Sequence, residues 1–246
     1  MTRAAPYGDA FYRKVDETGE AAAARVWPIL LDLFRVASVV DVGCGHGAWL
    51  AAARRHGIAD LFGIDGPWID PAALQIAAEQ FRHARLDAPL ALGRRFDMAL
   101  SLEVAEHLPP ERAADFVRDL TGLAPLVLFS AAIPGQGGTN HVNEQWPGYW
   151  AGLFAAHGYR ALDILRPLLW NEPAVAFWYK QNLLLYADPE TLAARPDLAA
   201  RVAEPLALVH PELFRSTQRA AAPGLGRWLK MAPQAWRRSF AKRRGD

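Results

Sequence analysis

The sequence predicts a doubly wound α/β domain, and three observations carry that expectation. Short β-branched or continuously apolar runs alternate with Ala/Leu-rich helical stretches from residue 21 onward. A glycine-rich turn follows the first of those runs and opens a helix. The third observation is that 52% of the 246 residues are hydrophobic and only 22% charged, enough apolar material to cover both faces of a buried sheet and too much for a disordered chain.

The elements follow in order. Ala21 to Phe34 reads as a helix, with Pro28 as a kink or an internal start. Ser38 to Val42 is a strand that stops at Gly43, and Ala48 to His56 is the helix after it. Leu61 to Asp65 is a second strand, Pro71 to Phe81 a helix, Phe96 to Ser101 a strand and Glu111 to Leu120 a helix. The run Leu126 to Ala131 is apolar throughout, as in a strand buried on both faces. A helix from Gln145 to His157 and strands over Arg160 to Leu165 and Val175 to Tyr186, the last interrupted by Lys180, Gln181 and Asn182, complete a mostly parallel sheet of about seven strands. Three segments are expected: a helical N-terminal lid over 1–37, the α/β domain over 38–190, and a helical extension with a basic tail over 191–246.

Charge and cysteine content narrow the setting. Residues 224–246 hold seven basic residues against Asp246, which leaves 20 basic and 25 acidic residues, a net of −5, in the first 223. An acidic body argues against nucleic acid as a partner. The tail interleaves Trp228, Leu229, Trp236 and Phe240 with its charges, a composition for an anionic membrane surface or an acidic partner. The single cysteine, Cys44, forms no internal disulfide and suits a reducing compartment. No signal-like apolar run opens the chain, and the uncharged stretch Thr121 to Val142 carries too many polar and proline positions to span a bilayer, so a cytoplasmic location is expected.

The turn Asp41-Val42-Gly43-Cys44-Gly45-His46-Gly47 lies where an open α/β sheet binds its ligand. Its glycines admit backbone N–H groups close to a ligand. Asp65 closes the next strand, where a carboxylate accepts from a ribose diol. A dinucleotide fingerprint is compatible, with Ala48 at its third small position, so a nicotinamide-dependent oxidoreductase is one alternative, and a cofactor-binding subunit without turnover is another.

The wording of the turn resembles motif I of class I S-adenosylmethionine-dependent methyltransferases. Phe62 to Gly66 resembles their acidic second motif, and Arg85-Leu86-Asp87 and Phe96 to Leu108 resemble the third and fourth. The resemblance implies a Rossmann-like methyltransferase fold with S-adenosylmethionine as cofactor. It implies that Asp41 orients the methionine amino group, that the backbone from Gly43 to Gly47, Cys44 and Gly45 included, cradles the methionine carboxylate side, that Asp65 holds the ribose hydroxyls, that Asp87 meets the adenine amino group, and that Gly66 and Ser101 belong to the cofactor-binding residues. Cys44 itself reads as a small filler.

The segment Ile133 to Pro147 (IPGQGGTNHVNEQWP) is dense in glycine, amide and imidazole groups. With Arg166-Pro167-Leu168-Leu169-Trp170 and Tyr179-Lys180-Gln181-Asn182, it resembles a bacterial subgroup of these methyltransferases. His141 is the expected general base toward an acceptor hydroxyl, or else it fixes the loop; Asn143, Gln145 and Trp146 shape the acceptor pocket, with Trp146 equally suited to core packing. Trp150, Trp170, Trp178 and Tyr179 offer rings for a sugar, so the expected acceptor is a small molecule or glycan methylated on oxygen. The run Glu103 to His107 (E-x-x-E-H) resembles the metal-binding segment of some magnesium-dependent O-methyltransferases, with His141 as a fourth ligand. The same run also caps a helix in methyltransferases without a metal, and no metal is assigned.

Overall fold

A computed structural model describes residues 9–221, and their side chains from Tyr12 onward. The first eight residues of the lid expected over 1–37, and the basic tail, lie outside the described residues. The chain forms two compact units, one through Leu208 and one from Val209. Within the second, helix α9 (Pro211–Ala221) is described; all other elements belong to the first.

That first unit is a seven-stranded sheet built from β1 (Ser38–Val42), β2 (Asp60–Asp65), β3 (Phe81–His83), β4 (Met98–Leu102), β5 (Leu126–Ser130), β6 (Arg160–Leu162) and β7 (Leu184–Ala187), in the spatial order β3-β2-β1-β4-β5-β7-β6. Strands β3, β2, β1, β4 and β5 are parallel, and β7 runs antiparallel to both β5 and β6. The fold is therefore the expected mostly parallel, doubly wound one. Order reverses between β1 and β4, which opens a crevice beyond their C-terminal ends.

Side-chain alternation along the strands sorts the core into two layers. Val39, Met98, Leu100, Leu126 and Leu128 face one side. There they meet Ala23, Trp27 and Leu30 of α1 (Asp9–Leu33) and Trp49 and Leu50 of α2 (Ala48–Arg55). Val40, Val42, Ala99, Val127 and Phe129 face the other, against Phe116 and Leu120 of α3 (Ala113–Leu123) and Trp150 and Phe154 of α4 (Pro147–Ala155). On the first side the Trp27 indole N–H donates to the Trp49 carbonyl at 3.1 Å, so the buried ring leaves no orphan donor. On the second, Phe154 stacks on Tyr186 at 3.8 Å between centroids.

Two expected elements differ. Residues 71–81 form short 3-10 turns at Pro71–Ala73 and Ala78–Gln80 instead of a helix. The Asp70 carboxylate caps Ala72 N–H, Gln75 N–H donates to the His46 carbonyl of the glycine turn at 2.8 Å, and buried Ile76 packs beneath Gly47. Docking under that turn supplies partners that an isolated helix would take from itself. The run expected as one strand over Val175 to Tyr186 is helix α6 (Phe177–Asn182) followed by β7, and the strand expected to Leu165 stops at Leu162 before α5 (Leu165–Leu169). The polar triplet Lys180-Gln181-Asn182 is what breaks the strand pattern, and the helix turns all three inward. Helices α7 (Pro189–Ala194) and α8 (Pro196–Ala199) close the unit. Among the described residues, no helix is long and apolar enough to cross a membrane.

Truncating Phe154 to Ala is expected to lower the unfolding free energy by about 3–5 kcal/mol in urea titration, whereas Leu168→Ala, at a side chain 60% exposed, shifts it by less than about 0.5 kcal/mol.

Candidate active site

The turn after β1 is pinned from three sides. Gly43 and Cys44 N–H both donate to the Ile64 carbonyl, at 2.7 and 3.1 Å. Gly43 (φ +88°) and Gly47 (φ +87°) adopt left-handed backbone, and a Cβ on Gly43 would collide with Val104, which follows β4. Asp65 closes the turn from β2: one carboxylate oxygen accepts from Gly45 N–H at 2.7 Å, the other from Gly66 N–H at 2.6 Å. A Cβ at Gly45 would face open space, while Gly66 lies flat beneath the Trp68 indole.

Burial sets the charge of this turn. Asp41 is 2% exposed, and desolvation first, then the nearby Asp65, pushes its carboxyl up to about 8. Burial raises Asp65 too, against the opposing pull of the Gly45 and Gly66 N–H groups. The Cys44 thiol is buried, and desolvation followed by Asp41 and Asp65 holds it well above the usual thiol range, in keeping with a filler and not a nucleophile. Ser101 is fully buried, and its hydroxyl makes no hydrogen bond. Asp87 lies apart from this group: its side chain is 41% exposed and paired with Arg85 at 2.6 and 2.9 Å, and that pairing holds its carboxyl below the usual range.

Helix α1 reaches the same turn. Its Asp16 carboxylate meets His46 Nδ1 at 2.8 Å, and Tyr12 lies against the imidazole at 4.8 Å. Asp16 gives no signal in the sequence, being one of several charges in the segment before the core.

On the far side of the crevice, the loop after β5 folds around Glu144. One of its oxygens accepts from Gly137 N–H at 2.9 Å and sits 2.9 Å from His141 Nδ1; the other accepts from Gly135 N–H at 2.8 Å. Burial opposes ionisation of Glu144, but the His141 contact and the two N–H groups outweigh it and leave the carboxyl below its usual range. A carboxylate on Nδ1 fixes the imidazole and leaves Nε2 as its other nitrogen, which lies against Gly138, where a Cβ would collide with it. His107 crosses His141 edge to face at 4.9 Å. Glu106 is fully buried: Oε1 accepts from Ala132 N–H at 3.2 Å, its carbonyl takes Val142 and Asn143 N–H, and Oε2 makes no hydrogen bond. Ligand atoms of Glu106, His107 and His141 all lie within 4.8 Å of one another. Burial, then His141, lowers His107 to about 4, which keeps it a neutral imidazole.

Glu103 does not join that trio. Its carboxylate accepts from Gln136 Nε2 at 2.9 Å and Asn182 Nδ2 at 3.1 Å. The four-ligand arrangement considered from the E-x-x-E-H run thus becomes three, because the backbone at Glu103 (φ +55°) turns the side chain toward α6. Two further expectations change. Trp146 is 42% exposed at the start of α4 and is not core, while Trp150 and Tyr179 are buried and present no ring surface to a sugar.

Comparison with known proteins follows from this geometry. The model of a family described as "Methyltransferase domain" matches residues 13–161, more than half of the chain. The chain belongs to that methyltransferase family. It is 33% identical over 81 residues to ubiquinone biosynthesis O-methyltransferase of Roseobacter denitrificans, a match covering 30% of this chain and about a third (32%) of that relative. Magnesium protoporphyrin IX methyltransferase from Synechocystis PCC 6803 superposes with TM-score 0.53 at 18% identity over 74% of this methyltransferase and 91% of that chain in its structure with bound SAH. The corresponding values for its structure with bound SAM are 0.52, 20%, 74% and 88%. At that identity the likeness is one of fold.

Asp41 gives a pH test. Its folded value of about 8 lies above the ordinary 3.8, so the stability it contributes is complete below about pH 4 and is lost as pH rises through 8. Asp41→Asn removes that loss: urea midpoints are expected to favour the variant progressively from pH 5 to pH 8, by at most about 1.4 kcal/mol per pH unit. Parallel pH profiles for the two proteins would contradict the assignment.

Proposed function

We propose that this methyltransferase uses S-adenosylmethionine to methylate a hydroxyl of a small molecule or glycan. The observation that carries this reading is the Asp65 carboxylate closed on Gly45 and Gly66 N–H, next to a buried Asp41 and a turn whose Gly45 faces open space. The Asp65 oxygens each accept one N–H of the turn, and the Trp68 indole also bonds the carboxylate, so a ribose diol would take the remaining lone pair and the position that Trp68 holds. The Asp41 carboxyl, pushed up to about 8 by burial and then by Asp65, is a group whose charge a neighbouring ammonium would stabilise, so it suits the methionine amino group. Gly43, Cys44 and Gly45 would face the methionine carboxylate side, and Gly66 the ribose edge. Ser101 brings a buried hydroxyl without a partner. Asp87 reaches an adenine amino group only by releasing Arg85.

The sulfonium supplies its own electrophilic methyl, so the protein's work is alignment and proton removal. His141, held through Nδ1 by Glu144, accepts the hydroxyl proton on Nε2 as the new O–CH3 bond forms and the S–CH3 bond breaks. The Ile133 to Pro147 loop that carries His141 is the basis for placing the chain in the bacterial subgroup it resembles.

Calorimetry is expected to show S-adenosylmethionine binding and no NAD binding. Asp65→Ala should weaken the cofactor by about tenfold or more, and His141→Ala should cut turnover by about 10²–10⁴ at unchanged cofactor affinity. NAD binding without S-adenosylmethionine binding would refute the reading.

A second reading rests on Glu106, His107 and His141. An unpartnered buried carboxylate oxygen beside two imidazoles, one of them held neutral, is a donor set for a divalent cation that would polarise the acceptor hydroxyl. On that reading EDTA abolishes turnover and a divalent cation restores it; unchanged activity in EDTA leaves His141 as the base.

A further inference from the structure

The connection from β3 to β4, residues 84–97, contains no helix, although a parallel crossover ordinarily carries one that satisfies its own backbone. It leaves β3 at the crevice end of the sheet, where Ala84 N–H donates to the Asp65 carbonyl at 2.8 Å, and Asp87 follows three residues later. The polar groups of this stretch therefore need partners from outside it. Two side chains from beyond β4 supply them. Arg112, in the turn Pro110–Arg112 before α3, donates from Nε to the Leu86 carbonyl at 3.1 Å and from Nη2 to the Ala88 carbonyl at 2.8 Å. Asp119 of α3 accepts from Leu90 N–H at 3.0 Å, and the same carboxylate pairs with Arg112 Nη2. The Arg112 and Asp119 side chains are both buried.

Asp87 stands between the two carbonyls that Arg112 holds. Its own side chain is exposed and meets Arg85, which is more exposed still, and such a pair fixes little. The position of Asp87 is set through its backbone, and Arg112 sets it. Stability is a poor account of the buried pair. Desolvation of the two charges offsets most of their attraction, and Arg112 Nη1 is buried without a hydrogen bond, which adds a cost. What an arginine supplies that an apolar side chain lacks is a planar group with fixed donor directions, here aimed at the carbonyls on either side of one residue.

We propose that Arg112 and Asp119 are positioning residues for the nucleobase of the cofactor: they hold the Leu86 to Leu90 backbone so that the Asp87 carboxylate receives the exocyclic amino group of adenine. The proposal rests on the S-adenosylmethionine reading above and deepens it by assigning base selectivity to two residues that act through the backbone around Asp87. A displaced loop loses the amino-group contact and leaves Asp65 and the glycine turn in place, so the effect falls on the choice of base and not on the ribose or methionine ends.

Wild type, Asp87→Ala, Arg112→Lys and Asp119→Asn are titrated calorimetrically with S-adenosylhomocysteine and with S-inosylhomocysteine, in which a carbonyl replaces the amino group of the base. Wild type should bind the adenine ligand about tenfold tighter or more, and Asp87→Ala should bring that ratio below about threefold. Lysine keeps the charge facing Asp119 but lacks the planar pair of donors, so Arg112→Lys should also bring the ratio below about threefold, with affinity for the inosine ligand within about threefold of wild type. Adding Asp87→Ala to Arg112→Lys should then change the ratio by less than about twofold. Asp119→Asn, which keeps an acceptor for Leu90 N–H, should lower the ratio part-way. Equal binding of the two ligands by wild type overturns the proposal, as does an adenine preference that survives Asp87→Ala or Arg112→Lys. So does an equal loss of both ligands in Arg112→Lys, or failure of Arg112→Lys and Asp119→Asn alike to fold, either of which would assign the pair to the core. A wild type that binds neither ligand sinks the underlying reading as well, whereas the other contrary outcomes leave it standing.

Discussion

The site depends on a carboxylate that spans two strands. Asp65 ends β2, yet its oxygens are held by the N–H of Gly45, in the turn after β1, and of Gly66, in its own. A buried carboxylate is tolerated only when its oxygens are met by donors, and here the donors are the backbone of the turn it shapes. Backbone N–H groups cannot be removed by substitution, so the closure is insensitive to most side-chain changes and highly sensitive to the loss of Asp65 or to any Cβ that displaces Gly43 from Val104. The same closure leaves Asp41 buried beside a second carboxylate, and burial first, then that neighbour, pushes its carboxyl up to about 8.

The rest of the sheet acts as a support. With helices covering both faces, polar chemistry can occupy only the strand ends, and the chain concentrates it there. The turn after β1, the Glu103 corner after β4 and the His141 loop after β5 succeed one another along one edge in the order of the strands. Helix α6 adds Gln181 and Asn182 from the antiparallel side of the sheet. Arg166, fully buried and paired with Asp163 at 2.6 and 2.8 Å, donates to the Gln181 carbonyl at 3.3 Å and so anchors the backbone that carries those amides.

Much of this was legible in the sequence where one local signal dominated. Strand β1 ends where its β-branched run meets glycine, and β5 shows as a run with no polar interruption. Legibility failed where long-range partners decided the conformation. Residues 71–81 have helical composition, but the His46 carbonyl claims Gln75 N–H and Ile76 fills the space under Gly47. Strand β3 is three residues long with two of them exposed, too short to display a period. Lys180, Gln181 and Asn182 looked like a flaw in a strand because the carboxylate that justifies burying two amides lies 79 residues away from Asn182 in the chain. The E-x-x-E-H run suggested one cluster, and only the left-handed backbone at Glu103 divides it into two. Nothing in the local sequence announces that turn.

The central claim is that Asp65 and the glycine turn form a nucleoside site, and a crystal structure of the protein grown with S-adenosylmethionine tests it most directly. The account predicts both ribose hydroxyls on the Asp65 carboxylate, with the Gly45 and Gly66 N–H contacts retained and the methionine amino group at Asp41. A nucleoside bound elsewhere, or no bound nucleoside at saturating ligand, would contradict it.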